Sequence, residues 1–160
     1  MFNSKSLFGS VLVVSLLVGT AGVASAAVNA SASGFIGAAP VDVTFIDHPF
    51  GRWVTNNDPN SSRNTIVNLG TVSSGTVTFN VRGSHESADT GPMKCLFIFD
   101  QITTGAELPL GVMEWDASDS SVKTLSFTIP GVQTAYFATL FCTIPPMAVD
   151  GSRIFGVWAS

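Results

Sequence analysis

Hydrophobic and polar residues alternate along much of this chain in short runs. In Thr76-Val77-Thr78-Phe79-Asn80-Val81 and Thr124-Leu125-Ser126-Phe127-Thr128-Ile129 every second residue is apolar. Successive side chains of an extended strand point to opposite faces, so such runs predict strands with one buried and one wet face. Val41-Asp42-Val43-Thr44-Phe45 reads the same way. Asn64 to Leu69, Lys94 to Phe99, Gly111 to Trp115, Tyr136 to Thr143 and Arg153 to Trp158 bring the set to about eight strands. No window has the 3.6-residue period of a helix of useful length.

Turn residues separate the runs: Asn56 to Asn60, Ser73 to Gly75, Asp89 to Pro92, Asp116 to Asp119, Pro130-Gly131 and Asp150-Gly151. The pattern predicts an all-β protein, an antiparallel two-sheet sandwich of the immunoglobulin-like or jelly-roll kind, with an up-and-down barrel as second choice. The denser apolar stretches Leu96 to Phe99 and Ala135 to Ile144 are expected at its centre, buried on both faces. The first and last strands are expected at sheet edges, where unpaired backbone invites a partner chain.

Residues 1–26 read differently. Lys5 precedes an apolar run from Leu7 to Val18, and Ala24-Ser25-Ala26 supplies the small residues of a cleavage site, so a removable signal peptide is expected. An apolar core of about a dozen residues is shorter than the roughly 20 a spanning helix needs, and no membrane span is expected in the mature chain. The product is expected to be secreted, extracellular or on the cell surface, with periplasmic transit in a Gram-negative cell. Residues 27–39 are read as a flexible N-terminal arm or weak first strand, and residues 40–160 as a single sandwich domain.

Charge then narrows the partners. The chain has 7 basic and 11 acidic residues, and loss of Lys5 with the leader leaves a net charge of −5. The remaining cations are scattered singly, which argues against nucleic acid and anionic membranes, both held by clustered Lys and Arg. A surface rich in Ser, Thr, Asn and Gly suits self-association or sugars instead. Cys95 and Cys142 are the only cysteines. In an oxidising compartment they are expected to form a disulfide pinning two strands, neighbours in one sheet or partners across two, and stabilising by about 3–4 kcal/mol.

Catalytic chemistry is not visible. The nucleophile motif G-x-S-x-G is missing, and Asp47-His48 and His85-Glu86 are adjacent pairs whose side chains diverge on a strand. Both histidines are expected in solvated loops. Asn56-Asn57-Asp58 and Asp116 with Asp119 lack the spacing of a calcium loop, and Glu86, Glu107 and Glu114 show nothing that would pair them for sugar hydrolysis. No catalytic residue, metal site or cofactor is expected. Asn29 and Asn60 fit the N-glycosylation pattern, which matters only in a eukaryotic secretory route.

Among the tryptophans, Trp115 and Trp158 are expected to cover the ends of the core with their N–H groups satisfied. Trp53, beside Arg52 and the polar loop 55–63, is the best candidate to stack on a sugar, with Asn56, Asn57 and Asp58 as polar partners. The chain therefore reads first as a non-catalytic surface, adhesive or fibre-type subunit assembling through strand edges. The alternative is an extracellular module that binds carbohydrate or another small ligand through Trp53 and its loop.

Overall fold

The computed structural model describes residues 29–160 except 73–74, 87–89, 103, 106, 117–120, 133–135 and 148–150. The expected leader lies outside the described residues, as do Ser73-Ser74, Asp89 and Asp119 of the expected turns. Eleven strands, all paired antiparallel, make up most of the described chain. They are β1 (Asn29–Ser31), β2 (Ile36–Gly37), β3 (Ile46–Asp47), β4 (Thr55–Asn56), β5 (Arg63–Val72), β6 (Gly75–Ser84), β7 (Met93–Gln101), β8 (Glu107–Trp115), β9 (Lys123–Val132), β10 (Tyr136–Ile144) and β11 (Arg153–Ala159). One sheet, here sheet A, has the order β1-β11-β6-β9; sheet B has β2-β5-β10-β7-β8, and β3 and β4 form a small ribbon.

The two large sheets pack as the expected sandwich. Alternate residues of β5, β7 and β10 are buried, and rings from both sheets meet between them. Phe79 of β6 lies 4.6 Å from Phe97 and 5.6 Å from Phe99 of β7, ring centre to ring centre. Tilted and edge-to-face aromatic pairs at such distances add to the burial of their area. Cys95 and Cys142 are directly opposed on the neighbouring strands β7 and β10, with Cα atoms 4.0 Å apart, and are joined by a disulfide. The bridge therefore closes one sheet on itself and does not tie the two sheets together.

Four expectations give way. Residues 41–45 are not a strand but most of a short helix, α1 (Pro40–Phe45). Pro40 takes the first helical position, and the Asp42 carboxylate accepts the Ala39 N–H at 3.1 Å, so local capping overrides the alternation. The phase is inverted too: Asp42 is buried while Val41 and Val43 are exposed. Pro130-Gly131 does not turn the chain, because it lies inside β9, an edge strand whose outer side needs no N–H donor.

The C-terminal strand β11 is not an edge, since β1 pairs along its open side: Asn29 opposes Trp158 and Ala30 opposes Val157. Finally, β10 does sit at the centre of sheet B, but it and β7 are buried on one face only. Residues 29–37 thus clasp the sandwich, with β1 added to sheet A, β2 added to sheet B and Phe35 between them fully buried.

Candidate functional site

Strand β11 carries an irregularity that shapes the outer face of sheet A. Ile154 pairs with Gly83 but Gly156 pairs with Arg82, so Phe155 is the extra residue of a bulge. A bulge shifts the side-chain phase of everything after it. Ile154 and Val157 are buried, whereas Phe155 and Trp158 are half-buried. Without the extra residue these two, three positions apart, would point to opposite faces. Gly156 lies between them, and a Cβ there would stand 3.1 Å from the Ala30 carbonyl oxygen, so the close approach of β1 keeps the position bare.

The result is a groove of about 420 Å³ on the outside of the sandwich, bounded by Phe155, the bare Gly156, Trp158, Ser31 and Arg82. The Arg82 guanidinium is exposed and lies 6.0 Å from the centre of the Phe155 ring, within the range of a cation–π contact. Beyond Arg82 the face continues in amides and hydroxyls. The Ser126 hydroxyl donates to the Asn80 side-chain Oδ1 at 2.7 Å, and the Thr78 and Thr128 hydroxyls are 3.0 Å apart. None of the four strands of sheet A contains Asp or Glu.

Trp53 joins this surface from the loop side. Val54 exchanges both backbone hydrogen bonds with Ile154 (2.8 and 3.0 Å), which fixes Trp53 beside β11. Its ring meets Phe155 edge-on at 6.3 Å, and Arg153 covers it at 5.5 Å. On its other side Trp53 lines a smaller pocket of about 180 Å³ with Pro49, Asn57, Met147 and Arg153. Trp53 and Phe155 are therefore the ridge between two concavities. Arg153 is itself held by Glu86 at 3.2 Å.

The other residues singled out from the loop are placed differently. Asn56 is buried, its amide donating to the carbonyls of Ser61 (2.9 Å), Ile144 (3.1 Å) and Pro145 (2.9 Å) while its oxygen accepts the Asp58 N–H (2.8 Å). Asp58 is buried too, accepting the N–H groups of Asn60 (2.9 Å) and Ser61 (3.2 Å) and pairing with Arg63, whose Nε donates at 2.8 Å. The Asn60 N–H holds the Asp58 carboxyl below its ordinary range, aided by Arg63 and opposed by burial. Both residues spend their polar atoms on closing the loop. Asn57 is exposed and donates to Asp47 at 3.1 Å, and Arg52 is exposed.

His85 is buried rather than solvated, its Nδ1 lying 2.7 Å from the Ser152 hydroxyl, while His48 is half-buried. Trp115 is buried and its indole N–H donates to the Lys123 carbonyl at 3.5 Å. Glu114 pairs with Lys94 on sheet B, and Asn60 is exposed. Among the described residues no three His, Cys, Asp or Glu side chains gather where they would hold one metal ion. Among the same residues no helix is long and apolar enough to cross a membrane.

Linear reading marks neither Phe155 nor Arg82, and it gives Trp158 a covering role at an end of the core. The signal that could have found them is the glycine inside the last predicted strand, since an isolated glycine in an alternating run marks a bulge or a close backbone approach. A bulge there moves Trp158 to the outside.

No protein-family model matches the chain, and no curated protein matches it. Solved structures similar in outline include the C-terminal CBM6 of LamC, a marine laminarinase from Zobellia galactanivorans, at 13% identity and a TM-score of 0.47, over 84% of this chain and 99% of that one. A CBM35 from Cellvibrio japonicus is 14% identical with a TM-score of 0.46, over 84% and 93% of the two chains. A carbohydrate-binding module of Cellvibrio mixtus lichenase 5A, solved with cellotriose, is 12% identical with a TM-score of 0.43, over 82% and 95%.

Proposed function

We propose that this protein binds carbohydrate, an extended polysaccharide chain, along the outer face of sheet A. The observation that carries the reading is the pair of rings, Phe155 and Trp158, brought to one face by the bulge and separated by a bare glycine beside Arg82. Sugar rings present apolar C–H faces and polar edges. Flat aromatic side chains take the first, and a few fixed donors and acceptors take the second. With the bulge, the two ring-bearing residues are spaced about 8 Å along the strand, room for more than one sugar unit. Arg82, Asn80, Ser126 and Ser31 supply the polar edge.

Trp53 keeps its role in this reading as the ridge beyond Phe155, with Asn57 and Arg153 in the pocket behind it, so a longer chain can continue over the end of the sandwich. Asn56 and Asp58 are given a loop-closing role instead. Assembly through a donated N-terminal arm has less support, because residues 29–37 are already paired within their own sandwich.

The test is affinity electrophoresis through gels containing, in turn, β-1,3- and β-1,4-glucans, galactan, xylan and a uronate polymer. At least one gel should retard the protein. Trp158→Ala and Arg82→Ala should each weaken that retardation about tenfold, the loss of about 1.4 kcal/mol of stacking or hydrogen bonding, with an unchanged circular dichroism spectrum. Free migration in every gel, or retardation untouched by either change, contradicts the reading.

A further inference from the structure

The outer face of sheet B is the opposite of the face just described. Strand register aligns Ile36, Ile66, Phe141, Leu96 and Val112 into one row that crosses all five strands. Their neighbours along the strands, Thr65, Cys142, Cys95 and Met113, are buried, so the row faces outward. Ile36 is 62% and Val112 59% exposed, and Phe137, further along β10, is 45% exposed. Ile98 extends the patch along β7. A contiguous apolar patch spanning a whole sheet is unusual on a surface that water covers and marks an interface.

The geometry points to a second copy of this chain as the occupant of that face, packed sheet on sheet about a two-fold axis that lies across the strands. Outward positions of β7 read Lys94, Leu96, Ile98, Asp100. Such an axis through the middle of β7 sets Leu96 over Ile98 of the partner and Lys94 over Asp100 of the partner. Along β7 the surface is thus complementary to itself, as an interface between identical copies requires, while Lys94 also pairs with Glu114 of its own chain and the same axis sets the β8 position of Glu114 over that of Glu107. A shallow depression of about 190 Å³, bounded by Leu96, Val112 and Phe141 with Lys94 and Thr143 at its rim, stands where Ile98 of the partner would enter.

The area is adequate for a dimer. Four strands with four outward positions each, about 4.8 Å apart across the sheet and 6.8 Å along it, together with Ile36 of the short β2, give a flat extent of roughly 550 Å². Side-chain relief raises the accessible area toward the roughly 800 Å² per partner of a standard interface. In this arrangement the two sheet A faces look away from each other. A dimer would therefore present two identical binding faces on opposite sides, able to bridge two polymer strands. Dimerisation itself does not depend on what sheet A binds.

Sedimentation equilibrium of the whole protein over a hundredfold concentration range tests this. Wild type should populate a species of twice the chain mass. Val112→Asp changes an exposed residue and should leave the fold intact while weakening the dimer at least tenfold. Lys94→Asp alone and Asp100→Lys alone should each weaken it as well. An equal mixture of those two variants should regain dimer, since each opposes the other's changed charge. A wild type that stays monomeric throughout, a dimer indifferent to Val112→Asp, or a mixture that fails to regain dimer would overturn the inference.

Discussion

At the residue scale, the polar groups that a linear reading marks as ligand-binding divide by burial. Asn56 and Asp58 are buried and hydrogen-bonded to backbone donors and acceptors, and a buried polar group left without its partner costs about 1–3 kcal/mol. Their value to the molecule is the shape of the loop that carries Trp53. Asp58 makes this measurable. Its carboxyl is held below the ordinary value near 3.8 by the Asn60 N–H, with Arg63 assisting. A depressed native pKa contributes stability that is present above the unfolded value and lost as pH falls through the native one. Thermal unfolding should therefore drop more steeply below about pH 4 in wild type than in Asp58→Asn, measured by melting from pH 7 to pH 2. Parallel curves would show that Asp58 is not a stabilising acid.

At the scale of elements, alternation was a sound guide wherever packing between the sheets decides the conformation. β5, β6, β7, β9, β10 and β11 each contain a predicted run, and the edges moved by only a few residues. It failed at residues 41–45, where Pro40 and Asp42 act within one turn and no sheet partner competes. It also could not show bulges, because one inserted residue reverses the facing of all that follow without changing composition. Strict alternation along β11 would put Trp158 on the same face as the buried Ile154, and the bulge puts it on the other. The disulfide was legible as a pairing, but whether it joined one sheet or two needed register.

A second bulge offers a test. Leu96 pairs with Val112 while Phe97 pairs with Leu110, leaving Gly111 as the extra residue at φ 58°, and a Cβ there would come within 2.1 Å of the Phe127 ring. Left-handed backbone and overlap act together, so Gly111→Ala should destabilise by about 2 kcal/mol or more. Urea unfolding reads this as a lower midpoint with an unchanged slope. A midpoint equal to wild type would mean that β8 slides its register at no cost.

At the scale of the whole molecule, the two faces of the sandwich have separate characters that total composition hides. Sheet A is free of acidic residues and shows rings, amides and hydroxyls; sheet B shows an apolar row edged by Lys94, Glu114 and Asp100. The net charge of −4 averages over that difference. Low charge with many Ser and Thr suggested both self-association and sugar binding, and the fold assigns the features behind each suggestion to opposite sides.

Carbohydrate bound as proposed meets the protein at β11. An NMR titration of isotope-labelled protein with an oligosaccharide cut from whichever polymer retards it would map the contact directly. Binding along sheet A should give saturable shifts at Ser31, Arg82, Phe155, Gly156 and the Trp158 indole, spreading to Trp53 with longer chains. Shifts confined to Ile66, Leu96, Val112 and Phe141, or no saturable shift with any glycan, would contradict it.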